Sequence, residues 1–174
     1  MTKLLSGLLI VFSLLSCNRT VETIKFEKII FHTYPNFWGS RPTYHLQVDK
    51  DKNLKIYSEE VFKYPIKIHA WDADTSKMGY FIGKVSDTTF EKLKNELQSI
   101  GLDTVKFVSP KYDMDSESPT EIIVYYNGKR KCLKSMYPPT YARKLIFTLY
   151  EICETTDLQK TKEKFIIEKE KASW

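Results

Sequence analysis

Residues 118–135 read Ser-Pro-Thr-Glu-Ile-Ile-Val-Tyr-Tyr-Asn-Gly-Lys-Arg-Lys-Cys-Leu-Lys-Ser. Asn127 and Gly128 separate two runs that favour β-structure. A type I′ turn needs φ > 0 at both central residues, and Asn followed by Gly tolerates this best. The sequence therefore predicts a two-residue hairpin. The turn sets its register, which pairs Tyr126 with Lys129, Val124 with Lys131, Ile122 with Leu133, Ile123 with Cys132 and Glu121 with Lys134.

The composition indicates a single globular domain. The chain has 174 residues, enough to bury a core without disulfide bonds or metals. Aromatic residues make up 14% of it, which suits a sheet-rich protein and could also supply a surface on which a sugar or another ligand stacks. The net charge of +5 is spread among both signs along the whole length. We therefore expect no nucleic acid partner.

Alternation of apolar and polar residues predicts the other strands. They lie at residues 24–32, 42–49, 54–58 and 78–85, and residues 66–68 could form a further short strand. In the strand at 42–49 the apolar side chains point to one face, with His45 and Gln47 on the other. The alternation changes phase at Ile29 and Ile30, which suggests a β-bulge there.

Two apolar stripes with helical spacing predict two helices. Ser86 and Asp87 can cap the first helix and Gly101 can end it, while Pro138 and Pro139 begin the second. The stripes consist of Phe90, Leu93, Leu97 and Ile100 in the first helix and Tyr141, Leu145, Leu149, Ile152 and Cys153 in the second. Both stripes need a surface to cover them. The predicted fold class is therefore α+β: an antiparallel sheet of about five to seven strands, built from β-hairpins, with two helices packed on one face in a two-layer sandwich.

The N-terminus reads as a lipoprotein signal peptide over residues 1–16. Lys3 precedes an apolar run at residues 4–15 that is too short to span a bilayer, for which about 20 residues are needed. The run ends in Leu14-Leu15-Ser16-Cys17, which resembles the bacterial lipobox. A simple secretory peptide or an uncleaved anchor is the alternative.

The lipobox resemblance implies that Cys17 carries a thioether-linked diacylglycerol and an acylated amine such as a palmitate amide. These chains make the lipid bilayer a partner of the protein. Asn18 points to the outer membrane, so the expected location is the cell envelope, lipid-anchored and facing the periplasm. Residues 17–23 are then a lipidated tether and residues 24–158 a single α+β domain. Residues 159–174 form a charged C-terminal tail, which could be a third helix, a late edge strand or a frayed end; its composition favours weak or no packing.

Residues 37–44 read Phe-Trp-Gly-Ser-Arg-Pro-Thr-Tyr and are followed by Leu46 and Val48. This stretch resembles the DUF6438 domain of Bacteroidota lipoproteins, whose members carry Cys-Phe-Gly-Thr-Cys-Pro-x-Tyr-x-Leu-x-Ile after a first strand. Phe37 and Arg41 stand where that family has its two cysteines. The resemblance extends over roughly residues 24–155. It implies a strand, a helix, an acidic loop and an Asn-Gly hairpin in that order, and it assigns no function. The matching residues are Gly39, Pro42, Tyr44 and Leu46.

Several residues are candidates for metal binding. His32 and His45 could be neighbours across the sheet, but a metal site needs a third ligand, and histidines on strand faces are usually solvated. His69, Asp72 and Asp74 offer three ligands in one segment. A further acidic group has the spacing of a calcium loop without its glycine, so an acidic turn is the favoured interpretation; it consists of Asp113, Asp115 and Glu117. We expect no cofactor.

Cys132 and Cys153 could form a disulfide bond in an exported protein, but two buried free thiols are the favoured interpretation.

Two functional hypotheses follow. The first is a binding or interaction module of the envelope, whose partner is a protein or a cell-wall component. It rests on the aromatic loop that follows the first strand, with Tyr34, Phe37, Trp38 and Arg41 as binding residues. The second is a metal-dependent or hydrolytic envelope enzyme that uses residues near His69 and Asp74. No nucleophile elbow, phosphate loop or dinucleotide fingerprint occurs, so no catalytic residue is assigned.

Overall fold

The computed structural model describes residues 23–34, 42–61, 74–107, 119–155 and 157–170. Within these ranges the chain forms one seven-stranded antiparallel sheet and two α-helices, which confirms the α+β class. The sheet order is β6-β5-β1-β2-β3-β4-β7. The strands are β1 (Phe26–Thr33), β2 (Thr43–Asp49), β3 (Asn53–Glu60), β4 (Gly79–Lys84), β5 (Thr120–Tyr126), β6 (Lys129–Ser135) and β7 (Gln159–Thr161). The helices are α1 (Asp87–Ser99) and α2 (Arg143–Cys153), with 3-10 turns at Thr75–Lys77 and Thr140–Ala142.

The Asn-Gly hairpin has the predicted turn and register. Asn127 has φ 50° and Gly128 has φ 69°, as a type I′ turn requires. All five predicted pairs occur between β5 and β6. Strand β5 also pairs with β1, so the hairpin extends the sheet on one side of its central strand. Strands β2, β3 and β4 extend it on the other side.

The first helix begins and ends where its sequence predicts. The Ser86 side chain accepts a hydrogen bond from the Thr89 N–H, and Gly101 has φ 63° just after the helix. The second helix differs at its start, because a 3-10 turn precedes it and the α-helix begins only at Arg143. Tyr141 lies in that turn and is 52% exposed, so it is not part of the buried stripe. Its hydroxyl donates instead to the carbonyl of Lys106 (3.1 Å).

The helices cover one face of the sheet. Their buried side chains form a single core with apolar residues of β1 to β6. The helical residues in this core are Phe90, Leu93 and Leu97 from α1 and Leu145, Leu149, Ile152 and Cys153 from α2, and Ile100 joins it just beyond α1. None of the helices within the described ranges has the length and apolar character needed to cross a membrane.

The opposite face of the sheet is covered too, by the chain beyond β7. We call residues 163–170 the C-terminal strap. Ile167 of the strap is 6% exposed and packs against Ile30 and Ile123, with Phe165 beside them. Strand β7 pairs with β4 at the edge of the sheet. The expectation of weak or no packing is therefore wrong for the described part of this tail, and the domain has a third layer.

The predicted bulge of β1 is present, but it lies a few residues before Ile29 and Ile30. These two residues pair regularly with β2 and β5, and the register shift with β5 lies between Phe26 and Lys28. The side chains that face the helices are Phe26 before the shift and Ile29 and Phe31 after it, so the alternation changes phase as predicted. Ile30 is fully buried under the strap, so the strand is also buried on both faces.

Candidate functional site

A row of polar side chains crosses the strap-covered face of the sheet. Glu121 on β5 lies opposite His32 on β1, and His32 lies opposite His45 on β2. All three are buried, with exposures of 0%, 0% and 2% for Glu121, His32 and His45. Buried polar groups require partners, so this row, which we call the polar belt, is the most constrained polar feature of the described structure.

The two histidines are bonded directly to each other. Their Nδ1 atoms are 2.7 Å apart, and Nε2 of His32 is 2.6 Å from the backbone carbonyl of Glu168 in the strap. A carbonyl oxygen only accepts, so Nε2 of His32 carries a proton. When His32 is neutral, its Nδ1 is therefore the acceptor. The proton between the two rings then belongs to Nδ1 of His45.

Carboxylates stand at both ends of the histidine pair. Oε1 of Glu59 is 3.3 Å from Nε2 of His45, and Oε1 of Glu121 is 3.9 Å from Nε2 of His32. Oε1 of Glu121 also accepts a hydrogen bond from the backbone N–H of Glu170 (2.9 Å). Its Oε2 makes no hydrogen bond within the described residues, although Nζ of Lys134 lies 3.7 Å away.

Burial controls the protonation of the belt. It lowers the pKa of both histidines, that of His45 to about 4, because an imidazolium ion is poorly solvated there. Burial likewise raises the pKa of the neighbouring Tyr34 hydroxyl to about 12. Near neutral pH the belt therefore contains a neutral histidine pair. The expectation that these histidines are solvated is wrong, because the strap excludes water from this face.

An aromatic row continues from the belt across β3 and β4. The ring of Tyr57 stacks on His45 at 5.8 Å and on Tyr80 at 4.5 Å, and Phe165 of the strap meets Tyr80 edge-on at 5.0 Å. The two faces of Tyr57 are occupied by its neighbours. This row therefore packs the strap to the sheet, and it is not a flat platform for a sugar.

The predicted binding residues lie only partly within the described structure. Tyr34 is half-buried at the end of β1, with its ring centroid 6.3 Å from that of His32 and 6.1 Å from that of His45. Phe37, Trp38 and Arg41 lie outside the described residues, as does the lipidation candidate Cys17.

Of the predicted metal ligands, the structure describes Asp74, His32 and His45. Asp74 accepts a hydrogen bond from the Ser76 hydroxyl and forms an ion pair with Lys77 (3.8 Å). His32 and His45 direct their Nδ1 atoms at each other. Across the described ranges, no group of three or more His, Cys, Asp or Glu side chains is placed to hold a metal ion. Outside those ranges lie the predicted strand at 66–68, His69, Asp72, Asp113, Asp115 and Glu117.

The two cysteines of the domain are free thiols, as the sequence favoured. Cys132 lies in the cluster under the strap, and Cys153 is buried in the core under the helices. The sheet therefore separates them.

The sequence did not identify the acidic members of the belt and its surroundings. It placed Glu121 opposite Lys134 but offered no reason to bring Glu59 or Glu168 to the histidines. The available signal was the pair of adjacent isoleucines on β1, which indicates that the histidine face is buried.

The fold and the belt define an α+β domain with a helix layer and a strap layer. Comparison of the chain with family models, with curated proteins and with solved structures finds no match. The resemblance to the DUF6438 domain therefore stays a prediction.

Proposed function

We propose that this chain is a lipid-anchored lipoprotein of the cell envelope and that its α+β domain is a binding or interaction module, for which no catalytic role is identified. The lipobox-like residues 14–17, directly after a short apolar run, support the anchor. The binding part of the proposal rests on strand β1. The tether precedes its first residue and the aromatic loop follows its last, so the two segments leave β1 at opposite ends.

The tether enters the domain at one end of the sheet. Ile24 packs against the core, and its N–H donates to Oε1 of Gln98 on α1 (3.0 Å). Residues 18–23 reach at most about 20 Å when fully extended. A domain anchored through Cys17 is therefore held with this end close to the bilayer.

The aromatic loop begins at the opposite end. Strand β1 has 8 residues, which span about 26 Å at roughly 3.3 Å per residue. Tyr34 follows its last residue, and residues 35–41 continue from there. An outer-membrane anchor would thus turn this end of β1 toward the periplasm. The predicted binding residues Tyr34, Phe37, Trp38 and Arg41 follow it in the chain, and the expected partner is a protein or a cell-wall component.

The anchor is tested with the full chain produced in a bacterium and labelled with an alkyne-bearing palmitate. We expect the label and the protein in the membrane fraction, and loss of the label in Cys17→Ala. Cys132→Ala is the matched control and keeps the label, because Cys132 lies within the folded domain. Equal labelling of the wild type and Cys17→Ala would contradict the proposed anchor.

The binding role is tested by co-sedimentation with purified peptidoglycan and by photo-crosslinking in intact cells. We expect a crosslinker at position 38 to capture a protein, or Trp38→Ala to reduce sedimentation at least about threefold. The control position is Phe147, an aromatic residue that is exposed on α2. If positions 38 and 147 behave alike in both assays, the aromatic loop is not the binding surface.

A further inference from the structure

The histidine pair holds a limited number of protons in its observed geometry. Four ring nitrogens are involved, and in the neutral pair two of them carry protons, Nε2 of His32 and Nδ1 of His45. A third proton fits without loss of a contact. It goes to Nε2 of His45, which then donates to the Glu59 carboxylate 3.3 Å away.

A fourth proton does not fit. The remaining nitrogen is Nδ1 of His32, and its protonation would direct two N–H groups at each other across 2.7 Å. Two imidazolium rings would also repel each other in a buried site, and Lys169 adds to that repulsion. The doubly charged pair must therefore separate.

The sheet restricts how the pair can separate. Strand β1 is held by regular pairing with β5 on one side and β2 on the other, so its backbone cannot move alone. A His32 ring that turns away from His45 breaks the bond from its Nε2 to the carbonyl of Glu168. This bond ties the strap to the centre of the sheet.

Other charged and titratable groups face the pair and the strap. Burial acts to raise the pKa of Glu168 on the strap, but the Tyr125 hydroxyl, Arg130 and Lys28 outweigh it and hold this pKa below its ordinary value. Ion pairing therefore favours the ionised form of the Glu168 carboxylate. Among the described residues, the groups that face the pair and the strap are Tyr34 on the chain after β1, Lys55, Tyr57 and Glu59 on β3, Tyr80 on β4, Glu121 and Tyr125 on β5, Arg130, Cys132 and Lys134 on β6, Lys28 on β1, and Glu168, Lys169 and Glu170 on the strap.

We propose that the His32–His45 pair is an acid-sensitive latch that holds the C-terminal strap on the sheet and releases residues 163–170 when the pair becomes doubly protonated. The closed state binds fewer protons than the open state, so acid favours opening. Release uncovers Ile30 and Ile123 while the helix-side core stays intact. The latch does not depend on the lipid anchor or on the aromatic loop.

Hydrogen exchange of the full chain in detergent micelles, read by mass spectrometry at several pH values, tests the latch. Protection factors, corrected for the intrinsic pH dependence of exchange, are compared between the strap and the β5–β6 hairpin. Burial lowers the pKa of both histidines, and the closed geometry excludes the proton on Nδ1 of His32. Strap protection should therefore fall more than about tenfold between pH 7.5 and 4. The hairpin should keep its protection.

His32→Gln is the decisive variant, because an amide can still donate to the Glu168 carbonyl but does not titrate. We expect its strap to stay protected at both pH values. His69→Gln is the matched control, which removes the third histidine of the chain, and its strap should open as in the wild type. A His32→Gln strap that opens at the wild-type pH would overturn the latch.

Nitrogen-15 NMR of the wild-type histidines tests the latch independently if His32→Gln does not fold. Above pH 7 we expect a proton on Nε2 of His32 and on Nδ1 of His45, and two coupled protonation steps below pH 6.5. The strap amide signals should shift with the second step. Independent titration of the two rings, or simultaneous loss of strap and hairpin signals, would refute the proposal.

Discussion

Replacement of Ile167 by Ala tests whether the strap is a packed layer of the domain. Ile167 is 6% exposed and lies on Ile30 and Ile123. The substitution removes three buried carbons, worth about 2.4 kcal/mol at ~0.8 kcal/mol each. The strap can relax into part of the space, so we expect a loss of about 2 kcal/mol in the free energy of unfolding, near the low end for such truncations.

The adjacent residue provides the matched control. Ile166 has the same side chain but is 97% exposed, so Ile166→Ala should change the free energy of unfolding by less than about 0.5 kcal/mol. Urea denaturation at pH 7.5, followed by circular dichroism, measures both variants. We expect Ile167→Ala to leave the urea m-value nearly unchanged and, in a thermal scan, to lower the thermal midpoint by roughly 4–8 °C. Equal effects of the two substitutions would show that the strap does not pack as described.

Three further predictions concern the turn, the helix cap and the thiols. Gly128→Ala should lower the free energy of unfolding, measured by urea denaturation, by about 1 kcal/mol, because the φ of +69° is unfavourable for a residue with a Cβ. The added Cβ would meet no atom within 4 Å, so a neutral result would contradict the left-handed turn. Ser86→Ala should cost about 1 kcal/mol through the lost N-cap, whereas the exposed Ser99→Ala should change the free energy of unfolding by less than about 0.5 kcal/mol. Burial raises the pKa of Cys132 to about 12 and that of Cys153 well above its ordinary value. Both thiols should therefore react slowly with iodoacetamide at pH 8, and Cys153 should react only after denaturation. Peptide mass spectrometry measures the extent of alkylation at each cysteine.

The features that the sequence predicted correctly are governed by neighbouring residues. Asn127-Gly128 determines its turn through the φ values it tolerates, and the turn alone sets the register of the hairpin. Ser86 and Gly101 act within one helical turn of the ends of α1. The start of the second helix was predicted less accurately, because a 3-10 turn precedes it and the Tyr141 hydroxyl donates to the carbonyl of Lys106, which is distant in the sequence.

The strap was missed because its packing depends on a partner that composition does not reveal. Charged residues surround Phe165 and Ile167, so the segment has the average polarity of a tail. These two side chains nonetheless pack against the sheet, since the aromatic row and the Ile30–Ile123 cluster form an apolar surface there.

The polar belt and the strap are interdependent. Nε2 of His32 donates to the backbone carbonyl of Glu168, so it needs the strap in place. Oε1 of Glu121 accepts a hydrogen bond from the backbone N–H of Glu170, which also lies on the strap. Conversely, the strap gains these two bonds only because β1, β2 and β5 bring the polar residues to one level of the sheet. A buried polar row stabilises a fold when its members find partners, and here two of those partners come from the end of the chain. Titration of the histidines therefore acts on the strap before it acts on the sheet, since His32 holds the strap through a single bond to the Glu168 carbonyl, whereas β1, β2 and β5 each have paired strands on both sides.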